Sequence, residues 1–240
     1  MKRAIVVGML LALPQVVAAQ QVERPPERTI HVQATATVER EPDRAVVLLA
    51  VESTGSNARE AAEANARRMD AVIAAIRRAG IPESNIRTVS YNLQPQYARP
   101  DRDNPNAEPR ITGYRGSNMV QVTIDDVSRT GPVIDAAIQA GANRVAGLNF
   151  ELKDPQAARR EALRLAVARA RADAEAIAEA AGQVLGPPLT IHTNEWQPSP
   201  KYVPMMDARA EMAQAVPTPV EAGTLSISAM VMITYRLESR

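Results

Sequence analysis

ITGYRGSNMVQVTIDDVSRTGPVIDAAIQAGANRVAGLNFEL, residues 111–152, reads strand, helix, strand, and that order decides the fold class. Within Ile111 to Ile124, Val120, Val122 and Ile124 alternate with polar neighbours, the period of two expected of a half-buried strand. Gly131 and Pro132 do not suit a helix interior, so the helix within Asp126 to Ala140 is predicted to start late, near Thr130, or to kink there. Gly141 ends it, and Val145 to Leu152 is the next strand. The preceding stretch has a similar order. Ala45 to Val51 is apolar throughout, which suggests a strand covered on both faces. Asn57 offers an N-cap with Glu60 three residues on; Ala62, Met69, Val72, Ile73 and Ile76 follow at helical spacing, Gly80 and Pro82 stop the helix, and Ile86 to Tyr97 is a strand. Ala75-Ile76 through Gly80 to Asn85 is echoed by Ala137-Ile138 through Gly141 to Asn143. The echo fits two stacked βαβ-type units, and equally a shared helix-stop chemistry.

Outside this pair of units the signals are longer. Ile30 to Val38 alternates, with His31, Gln33, Thr35 and Thr37 on the polar face, and a turn at Glu41-Pro42-Asp43 follows. Asp154 as N-cap and Pro155 at the first helical position open a helix that runs to Ala181 and closes at Gly182. Its stripe of Leu163, Val167, Ala170, Ala174, Ile177 and Ala181 is predicted to lie on a sheet, with the Arg and Glu side chains wet. Leu189 to Trp196 is the sixth predicted strand. Thr224 to Leu237 is the last, with Leu225, Ile227, Ala229, Val231, Ile233, Tyr235 and Leu237 facing one way. The expectation is an α+β protein, elongated, with two βαβ-type units sharing mixed sheets, one long helix in the C-terminal half and a long final strand. Arg99 to Pro109 has three prolines, and Gln197 to Gly223 has five together with Met205, Met206 and Met212, so mobile loops are expected near 99–110 and 197–223.

The chain starts with Lys2 and Arg3, an apolar run from Ala4 to Leu13, and small residues at Val17-Ala18-Ala19. That is a secretory signal layout over residues 1–19, with cleavage expected before Gln20 and a flexible lead-in at 20–28. The apolar run is well short of the ~20 residues that span a bilayer. Lys2 and Arg3 are two of 28 basic residues against 27 acidic ones, so the mature chain is close to neutral and no nucleic-acid partner is expected. Aromatics are 3%, which leaves little for stacking on bases. The absence of cysteine excludes disulfides, thiolate metal sites and thiol nucleophiles.

Reactive groups are sparse. His31 and His192 are the two histidines, each on the polar face of a predicted strand, which fits surface or hydrogen-bonded roles. Gly113 to Gly116 lacks the strand-to-helix setting that phosphate binding needs. Asp125-Asp126 and Asp101 to Asp103 fit capping and solubility better than paired-carboxylate chemistry. No catalytic residue, cofactor or metal site is therefore assigned. The loop methionines match a soft ion such as Cu(I) in donor type, but two adjacent and one distant Met are a weak metal signature and fit an adaptable apolar contact better. Met205, Met206, Met212, Met230 and Met232 are the expected oligomer or partner contacts, on the reading that the long final strand leaves an open backbone edge.

Gly113-Tyr114-Arg115, Ser117-Asn118, the strand to Ile124, Gly141-Ala142-Asn143-Arg144-Val145 with Gly147 and Phe150, and Asp154-Pro155 with the Ala/Arg/Glu helix to Ala180-Ala181-Gly182 together resemble the SIMPL-domain family. The resemblance takes in Gly55 with its following helix and Pro219 to Gly223, so it covers nearly all of a domain at 29–240. Gly116 and Gly131-Pro132 depart from its pattern. That family includes bacterial proteins named as oxidative stress defence or periplasmic immunogenic proteins. The resemblance implies an exported protein, ring-like or channel-like oligomers in some members, and no established catalytic residue. The function expected is a periplasmic, non-enzymatic envelope protein that self-assembles and meets an envelope protein or membrane surface, with a link to stress tolerance. The alternative is a periplasmic carrier of a small ligand or soft metal that uses the Met-rich loop.

Overall fold

The computed structural model describes residues 27–98, 108–194, 201–203 and 218–239. The predicted signal segment, most of the lead-in, Asp101 to Asp103, Trp196, Met205, Met206 and Met212 lie outside the described residues. In chain order the elements are β1 (Thr29–Arg40), β2 (Arg44–Gly55), α1 (Ala58–Arg78), β3 (Ile86–Tyr97), β4 (Ile111–Ile124), α2 (Thr130–Gln139), β5 (Arg144–Glu151), α3 (Pro155–Ala180), β6 (Gln183–Thr193), β7 (Lys201–Val203) and β8 (Thr224–Ser239). They form an α+β fold with two sheets, one carrying α1 and α2 and the other α3.

The central lobe, β2 to β5, has sheet order β3-β4-β2-β5, with neighbours antiparallel throughout. Because β2 and β3 both run against β4, they are parallel to each other with β4 between them. In the same way β4 and β5 flank β2. The lobe is thus two interleaved split βαβ units in a β-α-β-β-α-β, ferredoxin-like arrangement. The sequence echo is structural, but the sheets are antiparallel rather than mixed, since each split unit keeps its parallel strands from touching. The core holds Val47, Leu49 and Val51 of β2 against Val72 and Ile76 of α1, Val133 and Ile134 of α2, and Val120, Val122 and Ile124 of β4. Only one face of β2 is under helices. Val46 and Leu48, on the other face, are half-buried between β4 and β5, so the continuous apolar run marks a central strand and not a strand covered on both sides.

Local chemistry sets the helix ends where expected. The Asn57 side chain accepts from the Glu60 amide at 2.9 Å, and the Glu60 carboxylate accepts from the Ser56 amide at 2.9 Å. Helix α2 starts at Thr130, which places Gly131 and Pro132 in its first turn, where a missing amide costs nothing. The two departures from the family pattern mark close approaches. A Cβ on Gly116 would stand 3.1 Å from Ser53 Oγ and 3.3 Å from the Ala61 carbonyl, and one on Gly131 would meet the Thr218 carbonyl at 2.6 Å.

In the terminal lobe, β8 lies between β1 and β6, with β7 paired beside its start. The last strand is therefore the centre of its sheet, paired along one side from Leu225 to Arg236 and along most of the other, and not an open edge. Strand β6 begins at Gln183, directly after Gly182 in the left-handed region (φ 69°), six residues before the predicted start. Pro187 and Pro188 hid it, because an edge strand tolerates residues that cannot donate to a ladder. The predicted stripe of α3 is also corrected. Ala158, Ala162, Ala166, Ala170, Ala174 and Ala178 are buried, while Val167 and Ile177 are exposed, the latter by 52%. The helix seats on its i+4 ridge, and methyl groups bring it too close to the sheet for larger side chains. Beneath it lie Val32, Ala34, Val231, Ile233 and Tyr235.

Among the described residues, two segments carry the chain from one lobe to the other, and a third, ahead of β8, packs on the central lobe. Glu41 to Asp43 leads from β1 to β2, Leu152 to Asp154 leads from β5 to α3, and 218–223 leads into β8. Asp43 accepts from the Lys153 amide at 2.7 Å, and Lys153 Nζ donates to the Asp125 carbonyl at 2.8 Å. The end of the predicted second loop is ordered: Asp135 of α2 accepts from the Thr218 amide and hydroxyl at 3.2 and 2.6 Å, and Val220 and Ala222 pack on the central core.

Candidate functional site

The residues singled out from sequence fall on distinct surfaces. His31, Gln33, Thr35 and Thr37 of β1 and Ser226, Ser228, Met230, Met232 and Thr234 of β8 share the face of the terminal sheet opposite α3. His31 Nδ1 lies 2.8 Å from Thr234 Oγ1, and Thr37 Oγ1 lies 2.9 Å from Ser228 Oγ. His192 is exposed on β6, directly opposite Met232. Both histidines are thus on a polar sheet face, as read from the sequence, and the structure adds that they share one face with Met230 and Met232. Because β8 is central, those two methionines belong to the open face rather than to a free edge.

The acidic pair has structural partners. The Arg44 guanidinium, 2.9 Å away, holds the Asp125 carboxyl below the usual carboxylate range, with Asn85 adding a hydrogen bond. The Ser128 hydroxyl and amide depress Asp126 in the same way at the turn before α2. Glu60 is lowered by the Ser56 hydroxyl and amide. Burial under α3 raises the Tyr235 phenol. Among the described residues no three of His, Asp and Glu stand close enough together to hold a metal ion. Gly113 to Gly116 lies within β4 and does not itself lead into a helix; it pairs with Ser53 to Gly55 and passes the first turn of α1 at Ala61.

Sequence reasoning missed two features. Asn65 is fully buried in the apolar stripe of α1 and donates to the Val51 and Gly116 carbonyls, clamping the helix to β2 and β4; a polar residue amid Ala61, Met69 and Val72 was its signal. Large apolar side chains also stand exposed along two sheet edges. Val89, Tyr91 and Tyr97 lie on β3 with Ile111 beside them on β4, and Val184, Leu189 and Ile191 lie on β6. Val89 sits where the β3–β4 register shifts, and the β6–β8 register shifts around Pro188. Strand alternation gives no sign of which strands are edges, so these surfaces emerge only with the strand order.

The chain belongs to the SIMPL family, described as a protein of unknown function (DUF541), whose model matches residues 30–235. That span holds both lobes. The chain is 32% identical over 229 residues to the 26 kDa periplasmic immunogenic protein of Brucella melitensis biotype 1, covering 95% of this chain and 91% of that protein. It is 27% identical over 223 residues to the uncharacterized protein YggE of Escherichia coli K12, covering 92% and 88%. It is also 24% identical over 223 residues to the mouse interleukin-1 receptor-associated kinase 1-binding protein 1, covering 90% and 80%. No helix among the described residues is long and apolar enough to cross a membrane.

Proposed function

We propose that this chain is an exported periplasmic protein, without enzymatic turnover of its own, that assembles with copies of itself through open sheet edges and meets other envelope components. Support for export comes from the basic, apolar and small-residue order of residues 1–19 and from full-length similarity to proteins named periplasmic. A link to stress tolerance rests on the family resemblance.

The observation that carries the assembly reading is the pair of apolar edges. Backbone amides and carbonyls on an edge strand are a template for a further strand, and isolated folds usually shield such edges with charge, short length, Pro or bulges. Pro95, Pro187, Pro188 and the register shifts interrupt these two edges locally, and the stretches at Tyr91 and Ile191 are the ones proposed to pair. Here β3 and β6 run for 12 and 11 residues, and Tyr91 and Ile191 are each 54% exposed. Edge pairing with another subunit removes that surface from water. Light scattering on the mature protein from Gln20 tests it. The expected result is a defined oligomer at micromolar concentration, dissociated by Tyr91→Lys or Ile191→Lys with folding unchanged. A monomer in the unaltered protein ends the assembly reading, and turnover in a hydrolase panel ends the non-enzymatic one.

A further inference from the structure

We propose that Met230, Met232 and His192 form a site for a soft monovalent cation, Cu(I), on the open face of the terminal sheet. The register makes the case. His192 on β6 is directly opposite Met232 on β8, and Met230 stands two residues along the same strand and so on the same face. Directly opposed residues bring their Cβ atoms to about 4.5–5.5 Å, and residues two apart on a strand are about 6.6 Å apart. Three side chains as long as Met, Met and His at these spacings can bring two thioether sulfurs and one imidazole nitrogen to a common point.

The donor set selects the ion. Thioether sulfur is soft and uncharged, imidazole is borderline, and neither competes well for Mg²⁺ or Ca²⁺, which take oxygen ligands. Among the described residues, the side chains around the three on this face are Gln33, Thr35, Thr190, Asn194, Ser228 and Thr234, with no carboxylate among them. With no cysteine in the chain, these thioethers are the softest ligands it can offer. Exposure fits a site open to a ligand: Met232 is 47% exposed, with Met230, Gln33 and Thr234 as its neighbours along and across the strands.

The site is also fixed in place. Asn194 accepts from the Met230 amide through Oδ1 at 3.2 Å, and its own amide donates to the Met230 carbonyl at 3.4 Å. That pairing ties the end of β6 to Met230 and holds His192, two residues earlier, in register. His31 stands at the rim, the diagonal neighbour of Met232 across β1, with Nδ1 held at Thr234. Strand pairing at β6, which carries His192, adds a neighbour at the rim of the site but does not cover the sheet face, so metal binding does not rest on the assembly reading.

The experiment is an anaerobic competition for Cu(I) between the mature protein and a chromophoric bicinchoninate chelator. One Cu(I) per chain should be withdrawn. Met230→Leu with Met232→Leu should weaken binding at least a hundredfold, and His192→Gln about tenfold, while Met205→Leu, Met206→Leu and Met212→Leu together leave it unchanged. All are checked by circular dichroism and thermal unfolding. As a second readout, Ag(I), a redox-silent probe of the same chemistry, should shift the ε-methyl resonances of Met230 and Met232. Failure of the unaltered protein to take Cu(I), or loss of binding only in the loop triple variant, overturns the proposal. Tyr91→Lys protein that no longer assembles should still bind, which separates this site from the edges.

Discussion

The two lobes solve the same problem, a helix on an antiparallel sheet, with opposite side-chain economies. In the central lobe Leu49, Val72, Ile76, Val120 and Ile124 fill the space between layers from both sides. In the terminal lobe the helix contributes methyl groups at Ala162, Ala166, Ala170 and Ala174, and the volume comes from the sheet, through Val32, Val231, Ile233 and Tyr235. A core filled from both sides is sensitive to deletion. A helix seated on alanines is sensitive to addition. Interiors are packed close to crystal density, so neither has spare room, but the cheap direction of change differs.

The largest effect is therefore expected from truncation in the central lobe. Leu49 is fully buried on β2, one of the two inner strands, on the helix-covered face. Leu49→Ala should lower stability by about 2–5 kcal/mol, the range for a buried Leu that leaves a cavity. Urea unfolding followed by circular dichroism measures it, and amide exchange shows whether protection is lost in β2 and β4 before β1 and β8. Equal loss in both lobes would mean that they unfold as one unit.

Addition in the terminal lobe comes next. Ala170→Leu puts three extra carbons between α3 and the sheet, an overpacking expected to cost about 1–3 kcal/mol. Ala168→Leu, on the exposed side of the same helix, should stay within about 0.5 kcal/mol. If the two variants unfold at the same urea concentration, α3 is loosely seated and the contrast between lobes fails.

How far this contrast could be read from sequence depends on what each signal measures. Hydrophobic period reports which residues face a neighbour, and it located all three helices and most strands. It does not report how near that neighbour is. Val167 and Ile177 are apolar at helical spacing, which predicts core positions, but the alanines beside them set the approach and turn them out. Capping chemistry is local, so Asn57, Asp154 and the late start at Thr130 could be read directly. Edge and centre are properties of strand order, which pairing across the whole chain decides; β8 looked like an exposed edge because of its length, and it is the centre of its sheet. The candidate site follows the same rule. His192, Met230 and Met232 are visible as residue types, but the alignment of His192 with Met232 comes from a register that joins residues 183–193 to 231–239.

A smaller effect tests the coupling between the lobes. Asp135 of α2 holds Thr218 at the entry to β8, and its loss removes two hydrogen bonds from a partly buried carboxylate. Asp135→Ala is expected to cost about 1–2 kcal/mol, two hydrogen bonds at the lower part of the net range for intramolecular bonds because the site is only partly buried, with increased amide exchange at 218–223 and the first residues of β8. Unchanged exchange there would show that the packing of Val220 and Ala222 holds the segment unaided.

The smallest expected effect is acid sensitivity, and it too should distinguish the lobes. Glu60, Asp125 and Asp126, whose carboxyl groups are depressed by Ser56, Arg44 and Ser128 respectively, all belong to the central lobe and its immediate border. A carboxyl with a lower pKa in the folded chain than in the unfolded one contributes stability that is complete above the unfolded value, about 4. That contribution falls as pH drops through the folded value. The stability of the central lobe should therefore decline between about pH 5 and pH 2, by a modest amount because these groups are solvent-exposed and screened. Asp125→Asn keeps the shape, loses the charge facing Arg44, and should flatten part of the decline while lowering stability slightly at neutral pH. Amide exchange in β2, β4 and α2 across that pH range gives the readout, compared with β1 and β8. A decline of the same steepness in Asp125→Asn would remove the Arg44 pair from the account, and earlier loss in the terminal lobe would reverse the predicted order.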